Sequence, residues 1–332
     1  MRHPRSACRI QRLSSVNMMS PIMSVKSTVG GRQRFTRCGV TLIEVMVVIF
    51  VLGLLAAMLL PAVQSSRESA RRIQCLSNLK QISLAVTTYA IDHNSFPPSG
   101  TVDGASYLVR LLPYIEQTDL YSKFDFSAPI GDQIPLALKR PPVYGCPTDP
   151  AVANVRYRSN YFGNCGWYER VSSDPNAPRD SVGPFPFMSS GRAIAPNHVT
   201  DGLSTTVAIA ECLPGFGQDI RRAVWQETPS LPVFDRSVTT MGNECLAATT
   251  TSLTFPRGSM WTPGGFGITM YDHVLPPNTR HCNWVTNSGS MHSAGINSAL
   301  CDGSARFVSS SIDVIVWRSL GTRCGGETAS VP

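Results

Sequence analysis

Charge is scarce in this chain of 332 residues. Asp, Glu, Lys and Arg make up 15% of it, and its first 39 residues contain no carboxylate. With hydrophobic content at 42%, such a composition excludes wholesale disorder, which needs few apolar side chains and a high net charge. Gly and Pro number 26 and 25 but follow no three-residue period, so a collagen-like rod is excluded too. There is no internal repeat, no acidic tail and no linker that would set off a second compact domain.

Catalytic motifs are equally absent. No GxSxG elbow, HExxH helix or GxxxxGK[ST] loop is present to position a nucleophile, a metal-bound water or a triphosphate. The cysteines form no CxxC pair. Glu211 and Asp219 offer two carboxylates, but their spacing does not place the oxygens at catalytic separation. The chain is therefore read as non-enzymatic, with no cofactor and no metal. A metal site built from His292 and Asp302, or from His281 and Cys282, is the alternative; its spacing matches no compact zinc pattern, and an Asp beside a turn ordinarily organises backbone hydrogen bonds.

The formal charge is +7, and its location matters more than its size. Arg2, Arg5, Arg9, Arg12, Lys26, Arg32, Arg34 and Arg37 all precede residue 40, leaving 21 basic against 22 acidic side chains beyond it. Phosphate tracking scales with the number of phosphates neutralised. The near-neutral remainder gives no specific support for a nucleic-acid partner.

Residues 40–63, VTLIEVMVVIFVLGLLAAMLLPAV, carry one ionisable side chain, Glu44. As a helix they span about 36 Å, enough to cross about 30 Å of hydrocarbon. The apolar run continues around every helical face, unlike the stripe of a surface helix. The basic segment before it stays cytoplasmic by the positive-inside rule, which sends the rest of the chain across the membrane. A secretory signal cleaved within AAMLLPAVQSS competes with this reading. A carboxylate in hydrocarbon costs several kcal/mol unless it is neutralised or paired, so Glu44 is expected to find a partner; the alternative is a lone Glu at the membrane edge that reaches the headgroups.

The string RCGVTLIEVMVVIFVLGLLAAMLLPAV resembles the cleavage and methylation segment of type IV prepilins and type II secretion pseudopilins. That resemblance implies processing by a prepilin peptidase/N-methyltransferase, with Gly39 the last leader residue and Val40 the methylated N-terminus. Glu44 then becomes the fifth mature residue and Pro61 the twenty-second, a site of helix bending. Val40 departs from the phenylalanine commonest at its position. Met18, Met19 and Met23 are alternative starts that shorten the leader.

Beyond Pro61, Ile73, Leu76, Leu79, Ile82, Val86 and Tyr89 recur at helical steps, and Pro97 and Pro98 mark a stop. The expected organisation is a basic leader (1–39), a membrane span (40–63), an amphipathic spine (64–98) and a β-rich extracytoplasmic head with long loops (99–332). It is a pilin-like α+β fold. Residues 106–125 predict a further short helix burying Leu108, Leu111, Leu112, Ile115, Leu120 and Tyr121. SALCDGSARFVS predicts a hairpin turning on Asp302 and Gly303, with Leu300, Phe307 and Val308 inward and Arg306 solvated.

Further strings resemble the DUF1559 class, which pairs a prepilin-like start with a histidine and an Asp-Gly separated by nine residues. Here these are His292, Asp302 and Gly303, accompanied by LLPYIEQTDLY, YGCPTDP, TDGLSTTVAIAE and WRSLGTRCGGE. The class implies a shared head without an activity. Outside the leader, Cys75, Cys146, Cys165, Cys212, Cys245, Cys282, Cys301 and Cys324 are candidates for disulfides in an exported head, in pairings that sequence alone does not fix.

Together these features describe a single-pass inner-membrane subunit, its head in the periplasm or outside the cell, packing against like or related pilin-like subunits. The alternative is a non-polymerising anchor whose head binds a surface glycan or protein through Trp167, Trp225, Trp261, Trp284 and Trp317.

Overall fold

The computed structural model describes residues 41–100, 103–169, 180–185, 193–215, 221–222, 224–226, 237–252, 257–292 and 294–326. The chain divides into two compact units, Met1–Ala57 and Met58–Pro332.

Helix α1 runs Leu42–His93 and contains Pro61, which removes one backbone donor without ending the helix. Its end is set by Asn94, whose φ of 51° puts it in the left-handed region that closes helix C-termini. The stop therefore falls before Pro97 and Pro98, earlier than those prolines suggest. In the second unit α1 buries Cys75, Asn78, Leu79, Ile82, Ser83, Ala85, Val86, Tyr89 and Ala90. The predicted stripe needs one correction: Ile73 is 68% exposed, because the buried face begins at Cys75, two residues further along.

The segment expected to form one short helix folds as three pieces. These are α2 (Tyr107–Arg110), a 3₁₀ turn at Leu112–Ile115 and α3 (Thr118–Tyr121). The Ser106 hydroxyl caps α2 by accepting from the Val109 N–H, Pro113 starts the 3₁₀ turn, and left-handed Glu116 closes it. Leu108, Leu111, Leu112 and Leu120 are buried as expected, with Ile115 and Tyr121 packed against them at partial burial. Short helices α4 (Ile134–Ala137), α5 (Pro150–Ala153), α6 (Val238–Ala247) and α7 (Val314–Ser319) follow.

The strands are β1 (Tyr161–Asn164), β2 (Tyr168–Glu169), β3 (Asp180–Ser181), β4 (Val207–Glu211), β5 (Val224–Gln226), β6 (Thr250–Ser252), β7 (Met270–Tyr271), β8 (His281–Cys282), β9 (Gly295–Leu300) and β10 (Ala305–Ser309). The central sheet has the order β10-β9-β4-β1-β7, antiparallel except for the β1–β7 pair. Strands β2 and β3 form a ribbon, and β6-β5-β8 a three-stranded sheet.

Alternation along the central strands gives the sheet two apolar faces. Tyr161, Ile209 and Ala299 join Leu79, Ile82 and Val86 of α1 in one core. Phe162, Ala210, Ile296 and Leu300 join Trp317 and Leu320 in a second core around α7. A register shift between Val207 and Ile209 lets Ala208 and Ile209 both enter the first core.

Candidate functional site

The start of α1 is built by Thr41 and Glu44. The Glu44 carboxylate accepts from the Thr41 N–H at 2.8 Å and from its hydroxyl at 2.9 Å, while the Glu44 N–H donates to the Thr41 Oγ1 at 3.4 Å. This reciprocal arrangement is a capping box, which satisfies helix donors left without intrahelical partners. The expected processing residues Gly39 and Val40 lie outside the described residues. From Leu42 onward this part of α1 is apolar and uncovered: Leu42 is 78% exposed, Ile43 69% and Phe50 71%. Among the described residues it is the one helix long and apolar enough to cross a membrane. In the second unit, α1 leaves Ile73, Leu84 and Ile91 exposed at spacings of eleven and seven residues, which puts them on one helical face.

The hairpin forms where the sequence places it. Strands β9 and β10 pair antiparallel, and Gly303 takes a φ of 91° in the turn. The Asp302 carboxylate accepts from the Ser304 N–H at 2.8 Å and the Ser304 hydroxyl at 2.7 Å. It organises its own turn, and His292 has other partners, so the two are not brought together as metal ligands. Leu300 and Val308 are buried and Arg306 is exposed, whereas Phe307 is half-buried beneath the Arg72 guanidinium, 4.0 Å from its ring centroid. Phe307 is thus corrected from an inward position: neighbouring residues on a strand face opposite sides.

His292 is 3% exposed. Its Nδ1 lies 3.1 Å from Glu68 Oε1 on α1, and its Nε2 lies 3.7 Å from Glu211 Oε1 at the end of β4 and 3.6 Å from Cys146 Sγ. Glu211 is 1% exposed and accepts from both the Asn297 N–H, at 2.9 Å, and Asn297 Nδ2, at 3.0 Å. Cys146 is disulfide-bonded to Cys75, so α1, the YGCPTDP loop, β4 and the segment before β9 converge on one buried point. Sequence reasoning missed Glu68 and Glu211 as partners of His292. Their only signal was that Glu211 ends TDGLSTTVAIAE and His292 stands nine residues before Asp302-Gly303.

A second disulfide joins Cys245 of α6 to Cys282 of β8. Cys165, Cys212 and Cys301 are buried thiols, and Cys324 is an exposed one. Burial pushes the Cys212 thiol up to about 12. Cys282 is thus engaged with Cys245, and its neighbour His281 accepts at Nδ1 from the Asn287 N–H at 3.0 Å. Asp219 lies outside the described residues. Of the tryptophans, Trp261 and Trp317 are fully buried and Trp167 is 9% exposed. Trp225 is partly buried beneath Arg280, and Trp284 is the exposed one at 46%.

The remaining strings of the DUF1559 class meet one another. Asp201 of TDGLSTTVAIAE accepts from the Gly325 and Gly326 N–H groups of WRSLGTRCGGE at 2.7 and 2.9 Å, and from the Thr322 hydroxyl at 3.0 Å. Asp149 of YGCPTDP caps α5 and forms a buried ion pair with Arg222. These contacts tie the loops together.

A family described as "Protein of unknown function (DUF1559)" matches residues 64–314, and a "Prokaryotic N-terminal methylation motif" matches residues 34–60. Similar curated proteins include the type II secretion system core protein G of Pseudomonas aeruginosa, 37% identical over 78 residues, which are 24% of this chain and 54% of that protein. The core protein G of Pectobacterium carotovorum is 34% identical over 79 residues, covering 24% and 49%, and that of Escherichia coli is 32% identical over 59 residues, covering 18% and 41%. The chain spans about half the length of the curated relatives it matches. No solved structure matches it significantly.

Proposed function

We propose that this protein, which belongs to the DUF1559 family, is a pseudopilin-like subunit that is anchored in the membrane by α1 and acts by assembly. The carrying observation is the uncovered apolar surface from Leu42 to Leu60. A monomer in water does not sustain a patch of this size, so lipid covers it first and the helices of like or related subunits cover it afterwards. Small residues within the run, Gly53, Ala56 and Ala57, allow close helix approach.

On this reading the leader remains cytoplasmic, the peptidase cuts between Gly39 and Val40, and the head lies across the membrane. The new amine adjoins Thr41, and it becomes the charge that Glu44 of a neighbouring subunit meets during staggered assembly. The capping box gives Glu44 hydrogen-bond partners in the single subunit until that exchange. Exposed Ile73, Leu84 and Ile91 extend the packing surface beyond the bilayer. The work of the protein is then assembly and display, with no substrate turned over.

The test is a photoreactive side chain at Phe50 in the native envelope. Crosslinks to copies of the chain or to other pilin-like subunits are expected, and Glu44→Gln should abolish them while leaving N-terminal trimming intact. Crosslinks to lipid alone would favour the non-polymerising anchor.

A further inference from the structure

The buried point around His292 has the composition and spacing of a metal centre. One ligand atom from each of Cys75, Cys146, Glu211 and His292 lies within 4.8 Å of the others, and all four residues are buried. Two sulfurs, one imidazole nitrogen and one carboxylate oxygen make the donor set that borderline divalent cations such as Zn²⁺ prefer. We propose that these four residues form a zinc site whenever Cys75 and Cys146 are reduced, and that their disulfide is the closed, metal-free form of the same site.

Three observations carry this. First, the imidazole is aimed. Nδ1 lies 3.1 Å from Glu68 Oε1, which turns Nε2 towards Cys146 Sγ at 3.6 Å and Glu211 Oε1 at 3.7 Å. A carboxylate behind a histidine is the usual outer partner of a metal-bound imidazole.

Second, those two separations already match the edges of a tetrahedral zinc site, about 3.3–3.8 Å for ligands about 2.0–2.3 Å from the ion. The two sulfurs must part, which reduction accomplishes, and the remaining separations, all within 4.8 Å, adjust to the ion.

Third, Glu211 is a carboxylate held out of water, and among the described residues His292 is the one ion-pair partner within reach. Asn297 fixes its orientation through a backbone and a side-chain donor. A divalent cation here would give a carboxylate buried beside an imidazole a charged partner.

The interconversion balances. An external dithiol supplies two electrons and two protons, cleaving the Cys75–Cys146 bond to two thiols and becoming a disulfide itself. Zinc then displaces both thiol protons to solvent and gains two thiolates, Glu211 and neutral His292. Exchange with an external disulfide takes those two electrons, reforms the Cys75–Cys146 bond, leaves the oxidant as a dithiol that draws two protons from solvent, and releases the ion. The site lies wholly within Met58–Pro332 and does not depend on the assembly reading.

The test uses the full chain in detergent, carrying Cys245→Ser and Cys282→Ser so that the other pair cannot contribute. After reduction, Co²⁺ titration should show one equivalent bound, with thiolate-to-cobalt charge transfer and tetrahedral ligand-field bands that Zn²⁺ abolishes. The oxidised chain should show neither. Adding Cys75→Ser and Cys146→Ser should eliminate the signal, and Glu68→Gln should weaken binding about 10- to 100-fold, as loss of an outer partner does elsewhere. Zinc sites bind as they fold, so a reduced chain that takes no cobalt, folded or not, overturns the proposal. Binding without thiolate bands, or binding that survives loss of Cys75 and Cys146, overturns it as well.

Discussion

His273 shows how far single residues in the head are committed to structure. It is fully buried, stacked on Trp317 with ring centroids 3.9 Å apart, and bonded at both nitrogens. The Trp317 carbonyl, 2.8 Å from Nδ1, can only accept, so Nδ1 carries the hydrogen and Nε2 accepts from the Tyr271 hydroxyl, also at 2.8 Å. Burial pushes its pKa down to about 3, against about 6.5 in an unfolded chain. Between those values the unfolded chain binds a proton that the folded chain refuses, so stability falls as pH drops from about 6.5 towards about 3. His281, held well below its ordinary value by burial and then by Arg257, acts in the same direction. Imidazole NMR should show His273 neutral down to pH 4, and a titration near its ordinary value would contradict this packing. Gly321 belongs to the same contact, since a Cβ there would sit 2.4 Å from His273 Cγ. Gly321→Ala should therefore cost about 1–3 kcal/mol by overpacking, read as a lower urea midpoint.

Among the elements, α1 was the most legible from sequence and the short helices were the least. An uninterrupted apolar run and a stripe at helical steps are strong local signals, and they located α1 apart from its last turn. Asn94 was missed because its left-handed conformation is a property of one residue, whereas Pro97 and Pro98 announce themselves. The break at Glu116 escaped notice for the same reason. The Asp302-Gly303 hairpin was readable because its turn chemistry and strand alternation are contiguous. The disulfides were not, since Cys75 and Cys146 are 71 residues apart and meet only once α1 docks on the loop after Pro142. That bond closes a long loop, and Cys75→Ser with Cys146→Ser should lower head stability by about 2–4 kcal/mol in metal-free denaturant titration. An unchanged midpoint would show that the two segments are held by packing alone.

For the molecule as a whole, the division of labour follows from where its polar groups are satisfied. In the head, the carboxylates of Asp149, Asp201 and Glu211 are occupied by caps, loops and the histidine, which gives the strings around them structural tasks. Along the N-terminal part of α1 the reverse holds: its backbone is satisfied by the helix while its apolar side chains have no cover. On the proposed reading, a chain built this way is completed by a bilayer and by neighbours. The candidate assembly residues could be nominated from the sequence because they lie together in one string. The His292 centre was not, because its members are scattered between Glu68 and His292 and only the fold brings them together.

The central claim is that α1 enters the membrane from a cytoplasmic leader and is trimmed at its start. Mass spectrometry of the N-terminal peptide of the protein recovered from its native envelope tests it most directly. A peptide beginning at N-methylated Val40 is the expected result. A chain that retains the basic leader, or one that begins after Ala62, would contradict the account.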